Sequence, residues 1–169
     1  MEVYEAINTV LAVREFRKDS VSKKIINRII ESARMTASSM NRQPWHFIVV
    51  KNHDTLKDLG TLVASGSYNA QANFAVVVAI EKSSPFGVSD ASRAIQSMVL
   101  TAWSEGVGSN WTGWVGMNEV AARLDIPKNL DVIAVVPFGY PLYVRTKGIK
   151  RRKLLTEVAH MERFGQIFS

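Results

Sequence analysis

The sequence predicts an α+β domain with a mixed central sheet and helices covering both of its faces. Three observations carry this. Two short runs, Ala75 to Ile80 and Val132 to Val136, are unbroken apolar sequence, as strands covered on both sides require. Helix-period stripes lie before, between and after them. The elements alternate as helix, helix, strand, helix, strand, helix, strand, helix, strand, which is not a run of regular strand–helix–strand units. With 169 residues, of which 47% are hydrophobic and 21% charged, the chain fits one domain over 1–169.

Each element follows from its local pattern. Val3, Tyr4, Ile7, Val10 and Leu11 share one helical face. Ser22 is placed to cap a second helix whose Ile25, Ile26, Ile29, Ile30 and Ala33 form the inward stripe. A polar loop from Thr36 to Gln43 ends at Pro44, and Trp45 to Val50 reads as a strand. Asp54 caps a short helix carrying Leu56, Leu59, Leu62 and Val63. After the strand at 75–80, Asp90 caps a long helix with Ala94, Ile95, Met98, Val99 and Ala102 inward, ending at Gly106. The glycine-punctuated segment 108–114 would be the weakest strand. Asn118 caps a helix that stops before Pro127, and the last strand ends at Pro137, Gly139 and Pro141.

The segment 142–169 stands apart, basic first and then apolar. Residues 145–153 (R-T-K-G-I-K-R-R-K) hold six Lys/Arg and no acid, which equals the whole net charge of +6. Such a concentrated cluster suits a local anion site or a solvated tail better than a nucleic-acid face spread over many phosphates. Beyond it, Leu154, Leu155, Val158, Met161, Phe164, Ile167 and Phe168 make a terminus apolar enough to dock, on its own core or on a neighbouring subunit.

Several chemistries drop out. There are no cysteines, so disulfides, thiolate metal sites and cysteine nucleophiles are excluded. No G-x-G-x-x-G, P-loop or G-x-S-x-G pattern is present. His46, His53 and His160 lie far apart without acidic partners at ligand spacing, so no metal site is expected. No apolar run approaches the roughly 20 residues that span a bilayer, and Met1-Glu2-Val3-Tyr4-Glu5 lacks a signal peptide's order. A cytoplasmic location is the expectation, with neither membrane nor nucleic acid as partner. What remains is one loop: Ser38, Ser39, Asn41 and Gln43 are either hydrogen-bonding groups for a planar polar heterocycle or ordinary turn residues.

An ordered set of segments then points to a family. T-A-S-S-M-N-R-Q-P-W-H-F-I-V-V (Thr36 to Val50) resembles the nitroreductase signature of small polar loop, N-x-Q-P-W and strand. D-A-S-R-A-I-Q-S-M-V-L-T-A (Asp90 to Ala102) and E-G-V-G-S-N-W (Glu105 to Trp111) are similar to its central helix and following glycine turn. L-D-I-P (Leu124 to Pro127), F-G-Y-P (Phe138 to Pro141) and K-R-R-K-L-L-T-E-V-A-H-M-E-R-F (Lys150 to Phe164) resemble its late landmarks. The likeness spans nearly the whole chain.

The resemblance implies an intertwined homodimer with FMN at the subunit interface and a C-terminal segment reaching the partner. It implies NAD(P)H as hydride donor and an electron-poor acceptor such as a nitroaromatic or quinone. Carried over by residue, Ser38, Ser39 and Asn41 would contact the flavin from the opposite subunit. Arg14 would lie near the ribityl-phosphate and the pyrimidine side, and Lys150 and Arg152 would pair with the phosphate. Thr112 and Gly113 would face the hydride-accepting nitrogen through backbone groups, while Asn69 or Gln71 would touch the flavin from a pocket edge. Trp111, Trp114 and Phe86 are candidates for an apolar wall or for plain core. No acid–base residue is implied, because the cofactor carries the redox chemistry. One departure stands out. The family opens R-R-S-x-R, with the first Arg and the Ser on the phosphate, whereas this chain reads Val10-Leu11-Ala12-Val13-Arg14. The alternative is therefore a flavin- or nucleotide-binding protein on the same fold that does not turn over.

Overall fold

The computed structural model describes residues 1–143 and 150–168. Its helices are α1 (Val3–Thr9), α2 (Lys23–Arg34), α3 (His53–Leu62), α4 (Gly87–Ser104), α5 (Met117–Arg123) and α6 (Leu155–Val158). The strands are β1 (Trp45–Val50), β2 (Phe74–Glu81), β3 (Gly108–Ser109) and β4 (Leu130–Gly139), in the sheet order β1-β2-β4-β3. All three ladders are antiparallel. Among the described residues, the parallel component is the single bridge Ala12–Ser109.

Helices cover both faces, as the apolar runs require. Strand β2 alternates its side chains, so Phe74, Val76, Val78 and Ile80 join α2 and α4 in one core. Ala75, Val77 and Ala79 join α3 and α5 in the other. The register of β2 against β4 slips between Val78 and Ala79, which leaves Ile133 as an extra residue on β4. The bulge explains why Val132 and Val135, three apart, sit in the same core. Strand β4 also runs through Pro137 rather than ending there. Val135 turns its main-chain bonds away from β2 toward Thr112, so Pro137, two residues on, faces the same side. That position lies between the Thr112 and Ser109 pairings, where a missing N–H costs the ladder nothing.

The helix caps are partly redistributed. Ser22 caps α2 as expected, accepting from Ile25 N at 3.3 Å. Asn52, not Asp54, caps α3 by accepting from Thr55 N at 3.0 Å. Asp54 sits in the first turn, where a carboxylate favours the helix dipole. Gly116, not Asn118, precedes α5 in a left-handed conformation (φ 93°), and any Cβ there would collide with the Leu62 carbonyl. Asp90 does not cap α4. The helix begins three residues earlier, and Asp90 is a buried member of its first turn.

Two apolar surfaces find no place in the core. Helix α1 ends at Thr9 and leaves Val3, Tyr4 and Ile7 exposed. Leu154, Leu155, Val158, Phe164 and Ile167 are exposed too, so the C-terminal segment does not dock on its own core. The first part of the basic stretch, residues 144–149, lies outside the described residues. Among those described, no helix is long and apolar enough to cross a membrane.

Candidate functional site

Past Thr9 the chain runs extended along the sheet's short edge. Ala12 bridges Ser109, Val13 N donates to Ser109 O at 2.9 Å, and Leu142 N donates to Glu15 O at 2.9 Å. Only glycine permits this approach at Gly108, where a Cβ would collide with Val13. These pairings set Arg14 on the wall of a cavity of about 740 Å³ that also touches Glu5, Thr9, Glu15, Trp103 and Tyr143. Lys150 returns to the same helix: its Nζ donates to the Ile7 carbonyl at 2.6 Å, in the last turn of α1. Burial first, and the neighbouring Arg152 charge second, hold Lys150 below the usual lysine range. Among the described residues, no carboxylate forms an ion pair with Arg14, Lys150 or Arg152. A bound anion would relieve Lys150 of that penalty.

Beside this edge lies a buried polar pair. Thr112 exchanges both main-chain hydrogen bonds with Val135, at 2.9 and 2.8 Å. Its hydroxyl donates to Val135 O at 2.6 Å and accepts from Asn69 Nδ2 at 3.3 Å. Both residues are buried, and Asn69 Oδ1 is left without a donor. With its backbone committed, Thr112 has no main-chain group to offer a ring, which leaves Gly113 beyond the bridge as the one of the two so placed. Gln71 is exposed at the end of the 3₁₀ turn Ser67–Gln71. In the same turn Tyr68 receives a 2.5 Å bond from Asn110 Nδ2, a pairing that nothing in the sequence pattern signalled. Of the aromatic candidates, Phe86 and Trp111 are partly exposed and Trp114 is 96% exposed, so none is core. Thr112→Val keeps the shape but leaves Asn69 Nδ2 buried and unpaired. It should lower unfolding stability by about 1–3 kcal/mol, read from the urea midpoint.

The polar loop sits elsewhere. Met40 (φ 52°), Asn41 (φ 54°) and Gln43 (φ 51°) are all left-handed, a conformation costing roughly 1–2 kcal/mol per residue, less for Asn. Ser38 Oγ accepts from Gln43 N at 2.9 Å. Ser39 N lies 3.2 and 3.1 Å from the two Asp90 oxygens, and its hydroxyl donates to Oδ1 at 2.9 Å. This end of α4 is far from Arg14, whose cavity touches Trp103. The thirteen steps from Asp90 to Trp103 span about 20 Å of helix axis at 1.5 Å each. One chain thus pairs Asn69 with Thr112, sets Arg14 on a cavity beside α1 and Trp103 and Lys150 on the last turn of α1, and holds Ser38, Ser39 and Asn41 at the opposite end of its central helix from that cavity.

Residues 11–83 and 68–140 match the model of the nitroreductase family. The chain belongs to that family. A protein of Methanothermobacter thermautotrophicus, named an NADH dehydrogenase/NAD(P)H nitroreductase, is 32% identical over 83% of this chain and 78% of its own. The crystal structure of a nitroreductase so named from Parabacteroides distasonis superposes with a TM-score of 0.88 at 27% identity, covering 96% of this chain and 98% of that one. An FMN-dependent nitroreductase from Clostridium difficile shares the fold, with a TM-score of 0.84 at 22% identity over 94% of this chain and 98% of that one. Family membership makes the protein an oxidoreductase by descent. Among the described residues no three His, Asp or Glu side chains cluster as metal ligands.

Proposed function

We propose that this nitroreductase-family protein is a homodimeric FMN-dependent oxidoreductase that takes a hydride from NAD(P)H and passes it to an electron-poor acceptor, such as a nitroaromatic or a quinone. The observation that carries the reading is that Arg14 and Lys150 are separated by the length of α4 from the Ser38–Asn41 loop, although the family resemblance assigns all of them to one flavin. A two-fold partner running antiparallel would bring its own Ser38–Asn41 loop to the edge that holds Arg14 and Lys150. The exposed apolar face of α1 and the exposed C-terminal segment supply surface for such a union. The names of the relatives agree with the chemistry.

The residues present fit the cofactor. Lys150 and Arg152, close enough for one charge to act on the other, would suit a phosphate monoester, with Arg14 on the wall of the cavity beside α1. The orphan Asn69 Oδ1 calls for an N–H donor, and the pyrimidine edge of a flavin offers one. When bound, FMN supplies two-electron hydride chemistry. The chain's task is then to bind and orient. Gly113 would present backbone to the ring, and the cationic edge would favour negative charge nearby. Trp111 and Trp114 would offer an apolar wall to a planar acceptor.

The second reading, a flavin-binding protein without turnover, draws on Val10-Leu11-Ala12 in place of the family's Arg-Arg-Ser. The purified protein should be yellow, or turn yellow with added FMN, and release a chromophore of FMN's mass. Rapid mixing of the loaded protein with NADH or NADPH should bleach the flavin absorbance. Bound flavin that stays oxidised would favour the second reading, and a colourless protein that ignores FMN would end both.

A further inference from the structure

Buried carboxylates need a reason, because removing the charge from water is costly unless strong hydrogen bonds replace hydration. Asp90 is fully buried in the first turn of α4, outside the set of residues that the family resemblance marks for the cofactor. Its neighbour one turn on, the half-exposed Arg93, pairs with Oδ1. Its other partners all belong to one residue 51 positions earlier: the main-chain N–H of Ser39 and the Ser39 hydroxyl. Ser39 opens the stretch in which Met40, Asn41 and Gln43 are held left-handed. Such a run persists only where the surroundings over-determine it. Within the loop the other restraints are local: Ser38 Oγ accepting from Gln43 N, and the Gln43 amide donating to Asn41. Among the described residues, Asp90 is the only side chain from another element that these bonds use.

The geometry points to Asp90 as a positioning residue that locks the Ser38–Asn41 loop, before any ligand arrives, in the shape that a partner subunit's flavin would meet. This rests on the proposed flavin reading and extends it. The loop does not fold around the ring on binding, because its ordering is already met by α4. The same arrangement makes each flavin depend on a carboxylate of the other subunit that never touches it.

The test uses the full-length dimer with Asp90→Ala and Asp90→Asn. Asp90→Ala removes every acceptor for Ser39, and Asp90→Asn keeps one. Hydrogen exchange of the amides 38–43 and the dissociation constant for FMN are measured together, with far-UV circular dichroism and sedimentation confirming folded dimers. Asp90→Ala should speed exchange in the loop and weaken FMN by roughly 10- to 100-fold, the scale of a charge-assisted hydrogen bond. Asp90→Asn should recover part of both losses. Faster loop exchange with FMN affinity within about twofold of wild type would overturn the inference while leaving the flavin reading intact. So would loop amides that stay protected in Asp90→Ala. Should Asp90→Ala not fold, Asp90→Asn decides by the same two measurements. A wild-type protein that binds no FMN brings down the flavin reading, and this inference with it.

Discussion

Cutting the chain after Lys153 should turn the protein into a monomer that no longer retains FMN. The removed residues touch little of their own subunit: Leu154 is 70% exposed, Phe164 92% and Ile167 75%. Burying one such side chain is worth about 1.5–3 kcal/mol. Three of them give roughly 4.5–9, and ordering the segment on a partner offsets part of that. Even with half lost, about 4 kcal/mol remains at the upper end, close to a thousandfold in the dimer's dissociation constant. Because Lys150 and Arg152 stay in the shortened chain, a loss of flavin would report loss of the partner rather than of the phosphate anchor. Sedimentation velocity and the visible spectrum read both outcomes. A truncated protein that remains dimeric and yellow would show that the segment is no cross-subunit arm.

The parts of the fold legible in the sequence are those written in short-range pattern. The run at 75–80 is buried on both faces because α2 and α4 cover one side and α3 and α5 the other. The α2 stripe lands inward at Ile26, Ile29 and Ala33. Pattern also marked the apolar faces of α1 and of the tail, but periodicity does not say which molecule covers a face. It placed both against protein, and a single chain leaves both open. Asp90 looked like a cap because an acid near a helix start usually is one. Beside Arg93, three residues on, its partner is Ser39, 51 residues earlier, which no local window can see. The family resemblance turns the Thr112 backbone toward the ring. That backbone is taken up by Val135, next to a bulge at Ile133 that belongs to the pairing of two strands and not to either alone. The residues that the family resemblance assigns to a site can thus be listed from the sequence, whereas an assembly that would unite them cannot be read there.

Removing both late cations should separate the phosphate's contribution from the ring's. Lys150→Ala/Arg152→Ala takes away two charge-assisted contacts, each worth about 1.5–3 kcal/mol, so FMN should bind roughly 10²- to 10⁴-fold more weakly. Riboflavin, which has the same ring and no phosphate, should bind wild type and variant alike. The family's phosphate-holding first Arg and Ser are Val10 and Ala12 in this chain, so little remains beside Arg14 to compensate. Lys150 adds a pH signature. Its pKa lies below 10.5 in the free protein because burial and Arg152 disfavour the charged form. A bound phosphate favours that form and raises the pKa again, so binding takes up a proton in the interval between the two values. FMN affinity should therefore fall as pH rises through that interval, while riboflavin affinity does not share the fall and Lys150→Ala abolishes it. The same shift means that the ligand-free fold is relieved of a penalty as pH climbs toward 10.5. Isothermal titration of FMN and riboflavin across alkaline pH measures all of this. Equal losses for the two ligands in the double variant would mean that these cations shape the pocket without holding the phosphate.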